Sequence, residues 1–138
     1  MEQKVKLKKV FGDVFFEAER VHGGDIVKAR WFGAQSVETV MEGGYKFLEM
    51  MADRPYAKLL NSNKEVVGSW DMALGWAQNE WTPKMKEGGL RFLAQVVPSS
   101  IYASMTIESL VQKIDGEFEI RTFKEEADAE AWLLSIED

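Results

Sequence analysis

The sequence predicts an α/β domain with a mixed sheet, antiparallel strands first and parallel strands after. Three observations predict it. The first 32 residues hold three β-rich or alternating stretches separated by turn residues. From Ser36 onward, helical spacing and strand-like runs take turns, which calls for right-handed β-α-β crossovers. The run Leu90 to Val97 is apolar almost throughout, as a parallel strand covered on both faces requires.

The elements follow in order. Val5 and Leu7 alternate with lysines in a half-exposed strand, and Phe11-Gly12-Asp13 turns the chain. A second strand runs from Val14 to about Val21. His22-Gly23-Gly24-Asp25 makes a hairpin loop, because glycine takes positive φ cheaply. Ile26 to Phe32 is the third strand. Ser36 caps a helix with Glu38 in its first turn, and Val37, Val40, Met41, Leu48 and Met51 mark its apolar spacing. Gly43-Gly44 weakens that helix, and close packing on the sheet is a reason to keep it. Arg54-Pro55 ends it.

Tyr56 to Leu60 reads as a short strand ending in Asn61-Ser62-Asn63, with Lys64 to Gly68 as a loop. Ser69 caps a helix from Trp70 to Trp81. Pro83 kinks or restarts it, and Gly88-Gly89 ends it. Pro98-Ser99-Ser100 stops the buried strand. The next helix shows one stripe, Ile107, Leu110, Val111 and Ile114. Asp115-Gly116 turns the chain, Glu117 to Phe123 alternates as a strand, and Ala129, Trp132, Leu133 and Ile136 make the face of a final helix.

The length of 138 residues fits one domain over 1–138 that buries about two-thirds of its open-chain surface. Cysteine is absent, which removes disulfides, thiolate metal sites and cysteine nucleophiles and fits a reducing cytoplasm. With one histidine, His22, standing in a turn, zinc sites and a Ser-His-Asp triad lack support. No metal and no cofactor is expected. The basic start of the chain lacks the apolar core of a signal peptide, and no run reaches the ~18 apolar residues of a membrane span. The net charge is −6, with an acidic end, so nucleic acid is not an expected partner. Lys4, Lys6, Lys8 and Lys9 read as a charged edge strand that resists aggregation.

Several segments then fall into a familiar order. Trp31-Phe32-Gly33 ends a strand before the first helix, and Tyr56-Ala57-Lys58-Leu59-Leu60 precedes a polar stretch. Asn79-Glu80-Trp81-Thr82-Pro83 leads to Gly89-Leu90-Arg91-Phe92-Leu93-Ala94-Gln95-Val96-Val97-Pro98. Met105-Thr106-Ile107-Glu108 and Ala131-Trp132-Leu133 close the series. In order and spacing the chain resembles the SpoIIAA-like proteins, small single-domain bacterial STAS/SEC14 domain-containing chains. The resemblance covers most of the chain. It implies a STAS-like β-α superhelix, a mixed sheet packed with about four helices. Better-known relatives of that family, the anti-sigma-factor antagonists, bind partner proteins. They are switched by serine phosphorylation in an Asp-Ser-Ser-Gly-type turn. Asn61-Ser62-Asn63 and Gly68-Ser69-Trp70-Asp71 both depart from that turn, so the switch is not carried over.

Candidate contact residues come from two sources. Open α/β sheets bind ligands at the carboxyl ends of their strands, which brings forward Asn61, Ser62, Asn63 and Ser99. All four are also ordinary turn residues. Ser69 offers a helix N-terminus with free N–H groups, or simply a cap. Trp70, Met72, Trp76, Trp81, Met85, Tyr102 and Met105 gather around the middle helix and the loop after the buried strand. They are core, pocket or interface, and periodicity marks all three alike. Asp71 and Glu80 lie about two and a half helical turns apart and face different ways, so they form no acid–base pair.

The function expected is therefore a non-enzymatic, cytoplasmic module acting through protein–protein contacts, with an unknown partner or with itself as a homodimer. The alternative is a carrier or sensor of a lipid-like or other apolar small molecule, drawn from the tryptophan–methionine group and the SEC14 likeness.

Overall fold

A computed structural model describes residues 4–114 and 116–137, without the side chain of Tyr102. Strands β1 (Lys4–Lys8), β2 (Val14–Val21) and β3 (Ile26–Ala34) lead into helix α1 (Val37–Asp53). Strand β4 (Lys58–Val67) is followed by the helical segment 71–88. It comprises a 3₁₀ turn (Asp71–Ala73), α2 (Leu74–Trp76), a π turn (Ala77–Trp81) and α3 (Thr82–Gly88). Strand β5 (Phe92–Val96), α4 (Ile101–Ile114), β6 (Glu119–Phe123) and α5 (Glu126–Ser135) complete the chain.

The six strands stand in sequence order, β1-β2-β3-β4-β5-β6. β1, β2 and β3 pair antiparallel, and β3 to β6 pair parallel. The α/β class and the change of strand direction agree with the sequence reading. Each crossover steps the same way along the sheet. Right-handed crossovers then place α1, segment 71–88 and α4 on one face. α5 follows the edge strand β6 and returns across the other face, where Ala129 and Leu133 meet Ile26, Leu60, Ala94 and Val96.

Local chemistry explains the ends. Ser36 accepts the backbone N–H of Thr39, and Thr39 Oγ1 accepts the N–H of Ser36, so α1 starts in a reciprocal capping box. Gly43 and Gly44 are explained by close approach. A Cβ on Gly43 would lie 2.2 Å from the Trp31 ring, and one on Gly44 would lie 2.4 Å from the Trp76 ring.

Two expectations need correction. Lys64 to Gly68 is not wholly a loop: β4 runs on to Val67, so Asn61, Ser62 and Asn63 lie within the strand rather than after it. The cause is β3, which also runs longer than expected, to Ala34. Its backbone beyond Phe32 needs partners, and Glu65, Val66 and Val67 pair with Phe32, Gly33 and Ala34. The register shifts between Arg30 and Phe32, with one extra residue on β4. The middle helix is also not one regular helix from Trp70 to Trp81. Pro83 has no N–H and crowds the turn before it, so that turn widens. Thr82 reaches back to the carbonyl of Ala77 with its backbone N–H and, at 2.8 Å, with its hydroxyl. The expected Asp115-Gly116 turn falls partly on Asp115, which lies outside the described residues.

Candidate functional site

The tryptophan side of the sheet carries the site. Alternation along β3 and β4 aims Trp31 and Asn61 at this face. Trp31 donates its indole N–H to Asn61 Oδ1 at 2.8 Å. The Asn61 amide donates in turn to Gln95 at 3.0 Å and Asn63 at 3.3 Å, and Gln95 donates to Asn63. The β4 irregularity lies beside Asn63. The amides of Asn63 and Gln95 are buried and that of Asn61 half-buried, and all three are paired, as a low-dielectric interior demands.

Between this network and the helices lies a cavity of about 50 Å³. Trp31, Trp70, Trp76 and Trp81 line it together with Val40, Gly44, Phe47, Asn61, Ala77 and Leu110. Trp81 stands 5.9 Å from Phe47, and Trp76 packs edge-on to Tyr45 at 5.2 Å. Trp70 and Trp81 are 6 % and 7 % exposed, yet neither indole N–H has a partner. Other hollows, of about 300, 390 and 470 Å³, are open recesses near Arg54, Lys84 and Arg91. They are larger, but their charged rims suit solvent better than an apolar ligand.

Above the cavity, at the carboxyl ends of the parallel strands, apolar side chains stand in water. Val67 is 54 % exposed, Met72 75 %, Ile101 70 % and Met105 58 %. One polar junction holds their carriers together. Thr106 donates to Asp71 at 2.7 Å and lies 3.1 Å from the Ser69 hydroxyl, so the loop after β4 is fastened to α4.

The sequence candidates thus separate. Asn61, Trp76 and Trp81 meet at the cavity. Asn63 stays in the amide network. Ser62 points to the opposite face and joins the surroundings of Glu126 on α5. Ser69 accepts the N–H of Asp71, but Trp70 holds the cap position and the helix there is a single 3₁₀ turn. The expected Ser69-capped helix is therefore corrected. Ser99 is an exposed turn residue, and the side chain of Tyr102 lies outside the described residues. Met85 is core. Val67 and Ile101 join this surface without a sequence motif of their own. Ile101 and Met105 fall off the buried stripe of α4, which is the signal that finds them.

The other face is built on charge. Arg30 donates to both carboxylate oxygens of Glu126, at 2.8 to 3.2 Å. Glu130 receives Lys28 at 3.0 Å and pairs with His22 at 2.7 Å, which makes His22 an anchor for α5 rather than a free turn residue. Burial pushes the Glu126 carboxyl up, but hydrogen bonds from Arg30 and Ser62 and the charges of Arg30 and Lys28 hold it below its usual range. Hydrogen bonds from His22 and Lys28 do the same for Glu130. Among the described residues no group of three or more His, Asp or Glu side chains could hold a metal ion, and no helix is long and apolar enough to cross a membrane. Comparison with family models, curated proteins and solved structures gives no match.

Proposed function

We propose that this chain is a non-enzymatic, cytoplasmic binding module of STAS-like, SpoIIAA-like arrangement that works through protein–protein contacts. Its contact surface is the apolar rim of Val67, Met72, Ile101 and Met105. The observation that carries this reading is their shared exposure around one hydrogen-bonded junction. Grouped exposed apolar side chains mark contact surfaces, and methionine adapts its shape to a partner. The rim also lies where open α/β sheets present their sites. The first partner is a second copy of the chain, because an apolar patch complements itself without like-charge repulsion. The alternative of a carrier for a lipid-like molecule gains less support. A drug-sized ligand needs about 300–1,000 Å³, and the apolar cavity offers about 50 Å³.

Sedimentation velocity over a concentration series tests the reading. The wild-type chain should dimerise, the double variant Met72→Asp/Met105→Asp should stay monomeric, and Leu134→Asp should behave as wild type. Leu134 is the control because it is an exposed leucine on α5, on the opposite face. A monomer at every concentration, or a dimer indifferent to the rim substitutions, contradicts the proposal.

A further inference from the structure

We propose that the turn between β1 and β2 is the element that seats on the rim: in the dimer, Val10 and Phe11 of each copy pack on Val67, Met72, Ile101 and Met105 of the other. The inference rests on the self-association proposed above and assigns its geometry. It starts from two side chains that the monomer does not use. Val10 is 96 % exposed and Phe11 95 %. Turn positions favour glycine and small polar residues, so a valine and a phenylalanine here call for a contact. The turn itself is well closed. The backbone N–H of Lys9 donates to Asp13, and the carbonyl of Lys9 accepts from Gly12, both at 2.8 Å. Gly12 takes φ +91°, which glycine tolerates.

Place, charge and area then select a second copy. Lys9 Nζ donates to the carbonyl of Ala34 at 3.1 Å, and Ala34 pairs with Val67 in the sheet. Tip and rim therefore share one end of the molecule. A two-fold axis passing between them sets each tip on the other copy's rim, and the contact is made twice. The charges match in that arrangement. Residues 8–13 carry a net +1 from Lys8, Lys9 and Asp13, and residues 65–72 carry −2 from Glu65 and Asp71. Lys8, Lys9, Glu65 and Asp71 are all exposed, so each tip lysine pair can meet the partner's carboxylates. A stable interface covers about 800 Å² per partner. Four rim side chains, none larger than an aromatic of ~150–250 Å² and each 54 to 75 % exposed, fall short of that alone. Phe11 and Val10 supply a central aromatic anchor and further area.

Sedimentation velocity of charge-paired variants tests the exchange. Phe11→Lys spoils the tip, and Met72→Asp/Met105→Asp spoils the rim. Each variant alone should associate at least about tenfold more weakly than wild type. All three side chains are exposed, so the core is left intact. An equimolar mixture should recover association to within about tenfold of wild type, because it joins one native contact to one Lys–Asp contact. A dimer that persists in Phe11→Lys overturns the tip and leaves the rim reading standing. Loss in both variants without recovery on mixing means that tip meets tip or rim meets rim, and overturns the exchange. A wild-type chain that is monomeric at every concentration overturns this inference and the rim reading together. Pelleting with phosphatidylcholine–phosphatidylserine vesicles would then assign this end to a lipid surface instead.

Discussion

On one face of the sheet, α5 lays Ala129 and Leu133 on Ile26, Leu60, Ala94 and Val96 and is then tied down by ion pairs from Arg30, Lys28 and His22. On the other face, α1, segment 71–88 and α4 enclose a larger aromatic core that is less well satisfied. It holds a cavity, two indole donors without partners, a glycine pair that yields to tryptophan rings, and a π turn. Its rim leaves four large apolar side chains in solvent. The difference teaches where binding belongs. Paired charges and plain aliphatic packing hold a structure together, whereas exposed methionines gain most when a partner arrives.

The comparison breaks most readily through packing. Leu133→Ala empties the centre of the α5 face and should cost about 3 kcal/mol in urea unfolding, since Leu133 is fully buried. Gly43→Ala forces a methyl onto Trp31 and should cost about 2 kcal/mol, the overpacking outweighing a helix-propensity gain of about 1 kcal/mol. The tryptophans offer a finer contrast. Trp31→Phe strips Asn61 of its donor and should cost at least about 1 kcal/mol more than Trp70→Phe, which removes a donor that has no partner.

The charged face should respond to acid. Glu126 has a depressed folded pKa, so its contribution is present above the unfolded carboxylate range and lost as pH falls through the folded value. Glu126→Gln should lower stability at pH 7 by about 1 kcal/mol, since the site is part-exposed and screened. The deficit should shrink below about pH 4. The smallest effect on stability belongs to the rim: Met72→Asp/Met105→Asp should stay within about 0.5 kcal/mol of wild type per substitution while losing association.

Much of this architecture is legible in the sequence because one-sided burial leaves a period. The stripe of α4 and the alternation of β2 reappear as buried faces, and Ser36 caps α1 as its chemistry foretells. The length of β4 is hidden because Asn61-Ser62-Asn63 carries turn chemistry, while the demand for strand comes from β3, a neighbour in space. The site is legible only in composition. Trp76 and Trp81 announce an aromatic cluster, but Trp31 and Asn61 reach it from strands more than forty residues earlier or on a neighbouring element, and only folding joins them. Ser62 and Asn61 are adjacent in sequence and end on opposite faces, since side chains alternate across a strand.

The most direct test of the account is amide hydrogen exchange at low and high protein concentration. The rim predicts added protection at residues 67–73 and 101–106 as the chain self-associates, with α5 unchanged. Protection that appears on α5 instead, or no concentration dependence anywhere, would contradict it.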